Sequence, residues 1–162
     1  MRCGLTGSAG NSRRYALLLL RYRGRSEKEL RQRLKKKGYQ AEEIETTVAY
    51  LLKSGFLDDR ALAENLKRQA MTNKLLGFEG ARQFMQLRGL SKEIIEEALE
   101  YHEEDELRNI RKLIEKKQKS INRYPEPKRT QSLMGSLMRK GYSAALIRKV
   151  LKNTNNDEET EE

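Results

Sequence analysis

The chain has 162 residues, of which 34 are Lys or Arg and 24 are Asp or Glu, so its formal net charge is +10. A single Cys and a single His exclude a disulfide framework, a zinc site built from thiolates and a site with several histidine ligands. The longest apolar run, residues 15–20, is too short to cross a bilayer, and we expect a cytoplasmic protein.

Charge is distributed unevenly along the chain. Residues 1–40 hold 12 basic and 2 acidic side chains, and residues 108–152 hold 14 basic and 2 acidic side chains. Between them, residues 41–107 hold 8 basic and 15 acidic side chains, and residues 153–162 carry five acidic side chains. Two basic segments therefore flank an acidic middle, which favours a polyanionic partner.

An internal repeat organises the sequence. Gly38, Gly89 and Gly141 follow one another at intervals of 51 and 52 residues, and a basic residue precedes each of them. Apolar side chains recur four residues before each glycine and one, six and ten residues after it. A helix that ends at a left-handed glycine forms a Schellman motif. In this motif, the side chain directly after the glycine contacts the side chain four positions before the glycine. Each glycine is therefore expected to separate two helices, and a third helix precedes each pair.

This repeat predicts an all-α fold, an elongated array of three tandem three-helix (helix-turn-helix-like) repeats. The predicted helices are 14–23, 26–37 and 41–54 in the first repeat, 59–73, 77–88 and 92–102 in the second, and 104–120, 128–140 and 144–152 in the third. The repeats span residues 14–57, 58–103 and 104–152, between a disordered leader (1–13) and an acidic disordered tail (153–162). Pro125 and Pro127 predict a loop over residues 122–128. Ser91 and Ser143 are expected to cap the helices that follow them, with Gln40 as the weaker equivalent in the first repeat.

Support for catalysis is weak. Asp58 and Asp59 follow Gly55 and Leu57 in a turn between two helices, where adjacent carboxylates usually cap the next helix. The sequence has no phosphate-loop motif, and His102 ends an acidic run that is typical of a surface helix. We therefore predict no enzyme, no cofactor and no metal site, and a nuclease that uses the two aspartates remains the weakest alternative.

Basic side chains are the stronger signal, because Lys and Arg bind backbone phosphates and release counterions. An alternative for Lys35–Lys37 is that they offset the dipole at the end of a helix. Candidates for contact with a polyanion in the two basic segments are Arg23, Arg25, Lys35, Lys36, Lys37, Arg139, Lys140, Arg148, Lys149 and Lys152. Tyr22, Tyr39, Tyr124 and Tyr142 could stack on bases, although Schellman contacts explain Tyr39 and Tyr142 better.

Three segments carry a resemblance to a known family. They are Arg25-Ser-Glu-Lys-Glu-Leu30, Gly55-Phe-Leu-Asp-Asp59, and the stretch from Lys74-Leu-Leu-Gly77 to Leu87-Arg-Gly-Leu90. In their order and spacing, over about residues 15–152, the sequence resembles the RecX regulators of the bacterial RecA recombinase. The prolines of the third repeat and the acidic tail depart from this pattern.

The resemblance implies a non-enzymatic modulator, mainly an inhibitor, that binds the RecA filament on DNA and limits its assembly, ATPase, strand exchange and co-protease activity. The implied partners are the RecA filament and, more weakly, single- and double-stranded DNA, with no membrane and with the chain as a monomer. In the matched middle segment, Lys74, Arg82 and Arg88 become further contact candidates. The structural motif comprises Gly38, Gly55, Leu57, Asp58, Asp59, Gly89 and Gly141. The alternative is an autonomous DNA-binding protein with helix-turn-helix-like units.

Overall fold

The computed structural model describes the backbone of residues 9–158 and the side chains of residues 10–152. Within that range the chain forms nine α-helices and no strand, which confirms the all-α prediction. They are α1 (Ala9–Tyr22), α2 (Glu27–Lys37), α3 (Ala41–Lys53), α4 (Asp59–Arg68), α5 (Phe78–Leu87), α6 (Lys92–Ala98), α7 (Glu103–Ile121), α8 (Glu126–Arg139) and α9 (Ala144–Glu158), and a π-helical turn (Gln69–Asn73) continues α4. Each helix in this range is too short or too polar to span a membrane. Residues 1–8 of the predicted leader, with Cys3, and residues 159–162 of the tail lie outside the described residues.

The glycine-terminated helices are confirmed in all three copies. Gly38, Gly89 and Gly141 have φ angles of 99°, 84° and 88°, which is the left-handed conformation. After each glycine, the next amide donates to the carbonyl four residues before the glycine, over N···O distances of 3.3, 3.4 and 3.3 Å. These bonds are those of a Schellman motif, so the repeated spacing in the sequence reflects a repeated helix end.

The predicted N-caps are also present. The hydroxyls of Ser91 and Ser143 each accept the amide three residues further along, at 3.4 and 3.2 Å. At Gln40, the backbone N–H donates to the Glu43 carboxylate at 3.3 Å, which is one half of a capping box. All three helices that follow the glycines therefore begin where the sequence places them.

The first and last helices are longer than predicted. Helix α1 begins at Ala9 rather than near residue 14, because Ser12 is buried and its hydroxyl hydrogen-bonds the Thr47 hydroxyl of α3 at 2.7 Å. Helix α9 continues to Glu158 rather than ending at residue 152, since residues 153–158 include neither glycine nor proline. Residues 9–13 of the predicted leader and 153–158 of the predicted tail are therefore helical.

Two internal boundaries also differ from the prediction. Helix α8 begins at Glu126 with Pro127 in its first turn, so the predicted loop over 122–128 is confined to 122–125. Proline is tolerated there because amides of the first turn have no intrahelical partner. Helix α6 ends at Ala98 rather than at residue 102, and the Tyr101 ring beyond it packs edge-on against Phe78 at 5.6 Å.

The described chain packs into two compact units. Unit 1 comprises the chain up to Asn65 together with Met85–Ala98, and unit 2 comprises Leu66–Phe84 together with the chain from Leu99 onward. The division into three repeats at residues 57/58 and 103/104 stays a prediction. In unit 1, helices α1–α3 enclose a core of Ala16, Leu30, Leu34, Ile44, Val48, Leu51 and Leu57. In unit 2, helices α7–α9 enclose a core of Leu75, Ile110, Leu113, Ile114, Ile121, Leu133, Leu137, Tyr142, Leu146, Ile147 and Val150.

The backbone of unit 2 comes unusually close to itself where α5 begins. The Gly77 amide donates to the Lys140 carbonyl at 2.9 Å. A Cβ atom on Gly80 would overlap that same carbonyl oxygen, and a Cβ atom on Gly141 would overlap the Gly80 amide nitrogen. Glycine is therefore required at residues 80 and 141 by contact between two backbones, and at residue 141 also by its left-handed conformation.

A buried carboxylate introduces a pH dependence into unit 2. Glu106 is 5% exposed, and its Oε1 accepts the Phe78 amide at the start of α5 at 2.5 Å. Burial raises the pKa of Glu106, the Phe78 amide opposes this effect, and the Glu79 carboxylate adds to it. A raised folded-state pKa means that the folded state binds the proton more tightly than the unfolded state. The stability that this group contributes is therefore present at low pH and lost as pH rises through the folded-state pKa.

We expect the Glu106→Gln variant to gain stability relative to the parent protein as pH rises from 4 to 8, because glutamine keeps the acceptor for Phe78 and cannot ionise. Urea unfolding at several pH values measures the difference. The exposed Glu104→Gln change in the same helical turn controls for the loss of a charge near the start of α7. If the free energy of unfolding of Glu106→Gln, relative to the parent protein, fell with rising pH, the raised pKa of Glu106 would be contradicted.

Candidate polyanion-binding surfaces

The Gly55–Asp59 motif serves the folding of unit 1. Gly55 has a φ angle of 71°, and Leu57 is 2% exposed in the core. The Asp58 carboxylate accepts the amides of Arg60 and Ala61 at 2.9 and 3.0 Å, so it caps α4 as predicted.

Asp59 acts on a different helix from the one it belongs to. Its Oδ1 accepts the Glu27 amide at the first residue of α2, at 2.9 Å, and burial raises the pKa of Asp59. Both aspartates thus hold backbone amides at helix starts. Among residues that the structure describes, no three His, Cys, Asp or Glu side chains are grouped so as to hold a metal ion.

The structure brings Arg23, Arg25 and Arg88 together in unit 1 around one carboxylate, Glu29. We call these four side chains the arginine cluster. Arg23 donates two hydrogen bonds to Glu29, at 2.5 and 3.0 Å, from the loop between α1 and α2. Arg25 also bonds Glu29, and its side chain is only 8% exposed. Arg25 is therefore mainly a structural cation, and Arg23 remains partly open to solvent.

Arg88 belongs to the second segment of unit 1, Met85–Ala98, and completes the cluster. Its Nη2 donates to the Gly24 carbonyl at 2.9 Å, and its own carbonyl accepts the Ser26 hydroxyl at 2.7 Å. Its Nε is buried without a hydrogen-bond partner. Burial and the charge of Arg23 lower the pKa of Arg88, and the Glu29 carboxylate opposes them. Two guanidinium groups bond the Glu29 carboxylate and a third, that of Arg88, lies near it, so the cluster carries an excess of positive charge that suits an anionic partner.

A second basic group forms in unit 2. It contains the predicted candidates Lys74 and Lys140 together with Lys116 and Lys117 of α7, and we call it the lysine cluster. The Lys140 ammonium donates to the Lys74 carbonyl at 2.5 Å, and the Lys117 ammonium donates to the buried Ser136 hydroxyl of α8. Lys116 and Lys117 were not among the site residues predicted from sequence, although the basic composition of α7 was a signal for them.

The other basic candidates lie separately on the surface. Arg82 pairs with Glu79 at 3.5 Å, and Lys149 pairs with Glu103 at 2.6 Å. The ammonium of Lys37 lies 5.6 Å above the Tyr15 ring. The candidates that are exposed and have no carboxylate partner among the described residues are Lys35, Lys36, Lys37, Arg139, Arg148 and Lys152.

The four candidate tyrosines have different surroundings. Tyr142 is buried and donates its hydroxyl to the Leu75 carbonyl at 3.0 Å, and the Tyr39 ring lies 6.1 Å from that of Tyr15. Tyr124 has two cations over its ring, at 5.1 and 5.0 Å. Tyr22 is 89% exposed, so among the four it presents the most open ring for stacking.

Comparison with known proteins identifies the family. Residues 13–51 match the model of the first three-helix domain of RecX, and residues 103–151 match that of the third. The regulatory protein RecX of Thermotoga maritima is 36% identical over 152 residues, which cover 90% of this chain and 85% of that protein. The chain belongs to the RecX family. The resemblance inferred from sequence motifs and the tandem three-helix organisation are therefore confirmed.

Other RecX proteins show the extent of the match. The regulatory protein RecX of Chlorobaculum tepidum is 32% identical over 90% of this chain and 89% of its own length. The chain spans about half of the RecX proteins of Oceanobacillus iheyensis and Staphylococcus epidermidis, 53% and 55% of their lengths. The crystal structure of RecX from Lactobacillus salivarius has the same fold, with a TM-score of 0.76 and 21% identity over 91% of this chain and 96% of that one. The relatives from Oceanobacillus iheyensis and Staphylococcus epidermidis are named as regulatory proteins, in agreement with the prediction that the chain is not an enzyme.

Proposed function

We propose that this RecX-family chain binds the filament that RecA recombinase forms on DNA and mainly inhibits it. Binding would limit filament assembly, ATPase, strand exchange and co-protease activity, in the cytoplasm and with the chain as a monomer. Family membership supports this proposal, and the observation that carries it at the level of residues is the arginine cluster. Arg23 and Arg25 bond one carboxylate there, and the nearby Arg88 adds a third positive charge, which favours contact with acidic protein surfaces or DNA.

The exposed lysines at the end of α2 add further positive charge to unit 1. Lys35, Lys36 and Lys37 are solvent-exposed and have no carboxylate partner among the described residues. Removing them should not disturb the core, because the buried side chains of α2 are Leu30 and Leu34. They are therefore better targets for mutation than Arg25, which is held inside the arginine cluster.

The test of the proposed function is the DNA-dependent ATPase of RecA on single-stranded DNA. We expect substoichiometric amounts of the chain to inhibit it, and the inhibition to weaken as salt rises because charged contacts are screened. An ATPase that is unchanged at an equimolar ratio of the two proteins would contradict the proposal.

Charge reversal at Lys35, Lys36 and Lys37 to Glu should weaken this inhibition at least about tenfold, because attraction to an acidic surface becomes repulsion. The control reverses three exposed cations of unit 1, Lys53, Arg60 and Lys92, of which the last two pair with Glu97 and Glu96, and it should leave the inhibition within about threefold of the parent protein. Circular dichroism checks that both variants remain helical. An equal loss of inhibition in the two variants would show that net charge alone acts, and would remove α2 from the proposed contact.

A second candidate function is autonomous DNA binding, which the lysine cluster of unit 2 favours. It requires tight binding to DNA without recombinase, and it requires the ATPase effect to disappear whenever DNA binding is removed. A variant that no longer binds DNA and still inhibits the ATPase would exclude it.

A further inference from the structure

Residues 69–77, which we call the π segment, follow α4 and depart from regular α-helix geometry. They begin with the π-helical turn, and their amides donate further back than the four residues of an α-helix. The Lys74 amide donates to the Gln69 carbonyl at 3.0 Å, and the Leu76 amide donates to the Ala70 carbonyl at 2.9 Å. A turn of this kind is wider than an α-helical turn, and such turns are frequent at functional sites.

The backbone of the π segment is strained at Leu75. Its φ angle is 49°, and among the described residues it is the one non-glycine residue with a positive φ. A bulky side chain is disfavoured in this left-handed conformation because its Cβ atom crowds the backbone. Leu75 is nevertheless 5% exposed and belongs to the core of unit 2, so the packing of its side chain offsets the strain of its backbone.

Two side chains close to the end of α8 bind carbonyl groups of the π segment. The Lys140 ammonium donates to the Lys74 carbonyl at 2.5 Å, and the Tyr142 hydroxyl donates to the Leu75 carbonyl at 3.0 Å. In a regular α-helix, each of these carbonyls would accept the backbone amide four residues further along the chain. Side-chain donors therefore take the place that backbone amides have in a regular helix.

Helix α7 supplies two further contacts to this region. The side-chain amide of Asn109 donates to the Met71 carbonyl at 3.3 Å, and the Glu106 carboxylate accepts the Phe78 amide at 2.5 Å. Both side chains of α7 are buried, at 8% and 5% exposure, so water does not replace these hydrogen bonds easily. The conformation of the π segment thus depends on specific side chains of α7 and of the region around the end of α8.

We propose that the π segment is a conformational switch within unit 2, with a second state in which it relaxes into a regular α-helix and Leu75 leaves the left-handed conformation. The two states exchange one set of hydrogen bonds for another, because amides of the relaxed helix would bind the carbonyls that Asn109, Lys140 and Tyr142 bind in the first state. Relief of the backbone strain favours the second state, whereas burial of the Leu75 side chain favours the first.

The switch would alter the basic surface of unit 2. Relaxation releases the Lys140 ammonium from the Lys74 carbonyl, and it turns Lys74 about the helix axis because an α-helical turn is narrower than a π-helical turn. The two lysines are therefore held together in the first state and separated in the second. This inference goes beyond the proposed function, since it assigns regulation to a segment of the fold and requires no partner.

The test is chemical exchange saturation transfer NMR on the isotope-labelled full chain. Tyr142→Phe keeps the buried ring and removes the hydroxyl that donates to the Leu75 carbonyl. Because this carbonyl then has no donor from Tyr142 in the first state, we expect the population of the second state to rise about tenfold. The chemical shifts of the second state over residues 72–76 should be those of a regular α-helix. Asn109→Ala, which removes the donor to Met71, carries the same expectation if Tyr142→Phe does not fold.

Tyr39→Phe is the matched control. Tyr39 follows Gly38 as Tyr142 follows Gly141, and its hydroxyl donates to the Asn11 carbonyl of α1 at 3.3 Å. The control should leave the population of the second state within about twofold of that in the parent protein, because its lost hydrogen bond lies in unit 1.

Three results would overturn the inference. The first is the absence of a second state in both the parent protein and the variant that removes a donor. The second is a second state whose chemical shifts are those of an unfolded chain, which would show local unfolding instead of a switch. The third is an equal rise of its population in Tyr39→Phe and Tyr142→Phe.

Discussion

Replacing Gly141 with Ala should destabilise unit 2 by about 3 kcal/mol or more, whereas the same replacement at Gly38 should cost about 1 to 2 kcal/mol. Both glycines terminate a helix with positive φ, 88° and 99°. A Cβ atom at Gly38 would meet nothing within 4 Å, but a Cβ atom at Gly141 would overlap the backbone of Gly80. The two variants therefore share the conformational penalty and differ in steric overlap.

Urea unfolding followed by circular dichroism measures the two effects on the same protein. The overlap at Gly141 is with backbone atoms, which cannot turn away as the end of a flexible side chain can. Equal losses in the Gly38→Ala and Gly141→Ala variants would show that only the left-handed conformation matters, and that the close approach of α5 to this turn is not needed for stability.

Replacing Glu29 with Gln should lower the stability of unit 1 by about 3 kcal/mol, because it leaves a buried guanidinium without its counter-ion. Arg25 is 8% exposed and Glu29 is 15% exposed, so solvent compensates little for the lost charge. Arg23 is 38% exposed and can turn toward water, so the loss arises mainly at Arg25.

The matched control is Glu27→Gln, two residues earlier in the same helical turn. The Glu27 carboxylate pairs with Arg31 at 2.8 Å, but its side chain is 37% exposed, and exposed pairs contribute less than about 1 kcal/mol. Thermal and urea unfolding compare the two variants at neutral pH. A loss for Glu29→Gln that is no larger than that for Glu27→Gln would mean that the arginine cluster does not need its carboxylate.

Helix ends were the most predictable feature because their causes are local. The glycine, the apolar residue four before it and the capping residue two after it all lie within a short stretch of chain, so spacing alone located them. The helix limits that differ from the prediction depend on residues far away in the sequence, or on a proline that a first helical turn accepts. The start of α1 depends on Thr47, 35 residues away from Ser12, and the start of α8 depends on the position of Pro127 within a first turn.

The sequence was sufficient to predict which basic residues are candidates for the site, but not how their side chains are arranged in space. The sequence identified both basic segments and selected Arg23, Arg25 and Arg88 for unrelated reasons. It could not indicate that Arg25 would be buried against Glu29 and so be poorly available to a partner. It also did not select Lys117, whose role depends on Ser136 and on the lysines around it.

By itself, the sequence determined the all-helical class, the repeated helix ends, the capping role of Asp58 and the family, because each depends on residue types at short, regular spacings. The tertiary structure decided which charges meet. Ser26 and Arg88 are 62 residues apart and Lys74 and Lys140 are 66 apart, and only packing brings them within hydrogen-bond distance. Charge acts through space rather than along the chain, so the identity of a basic residue is readable from sequence, whereas its partners follow from the fold.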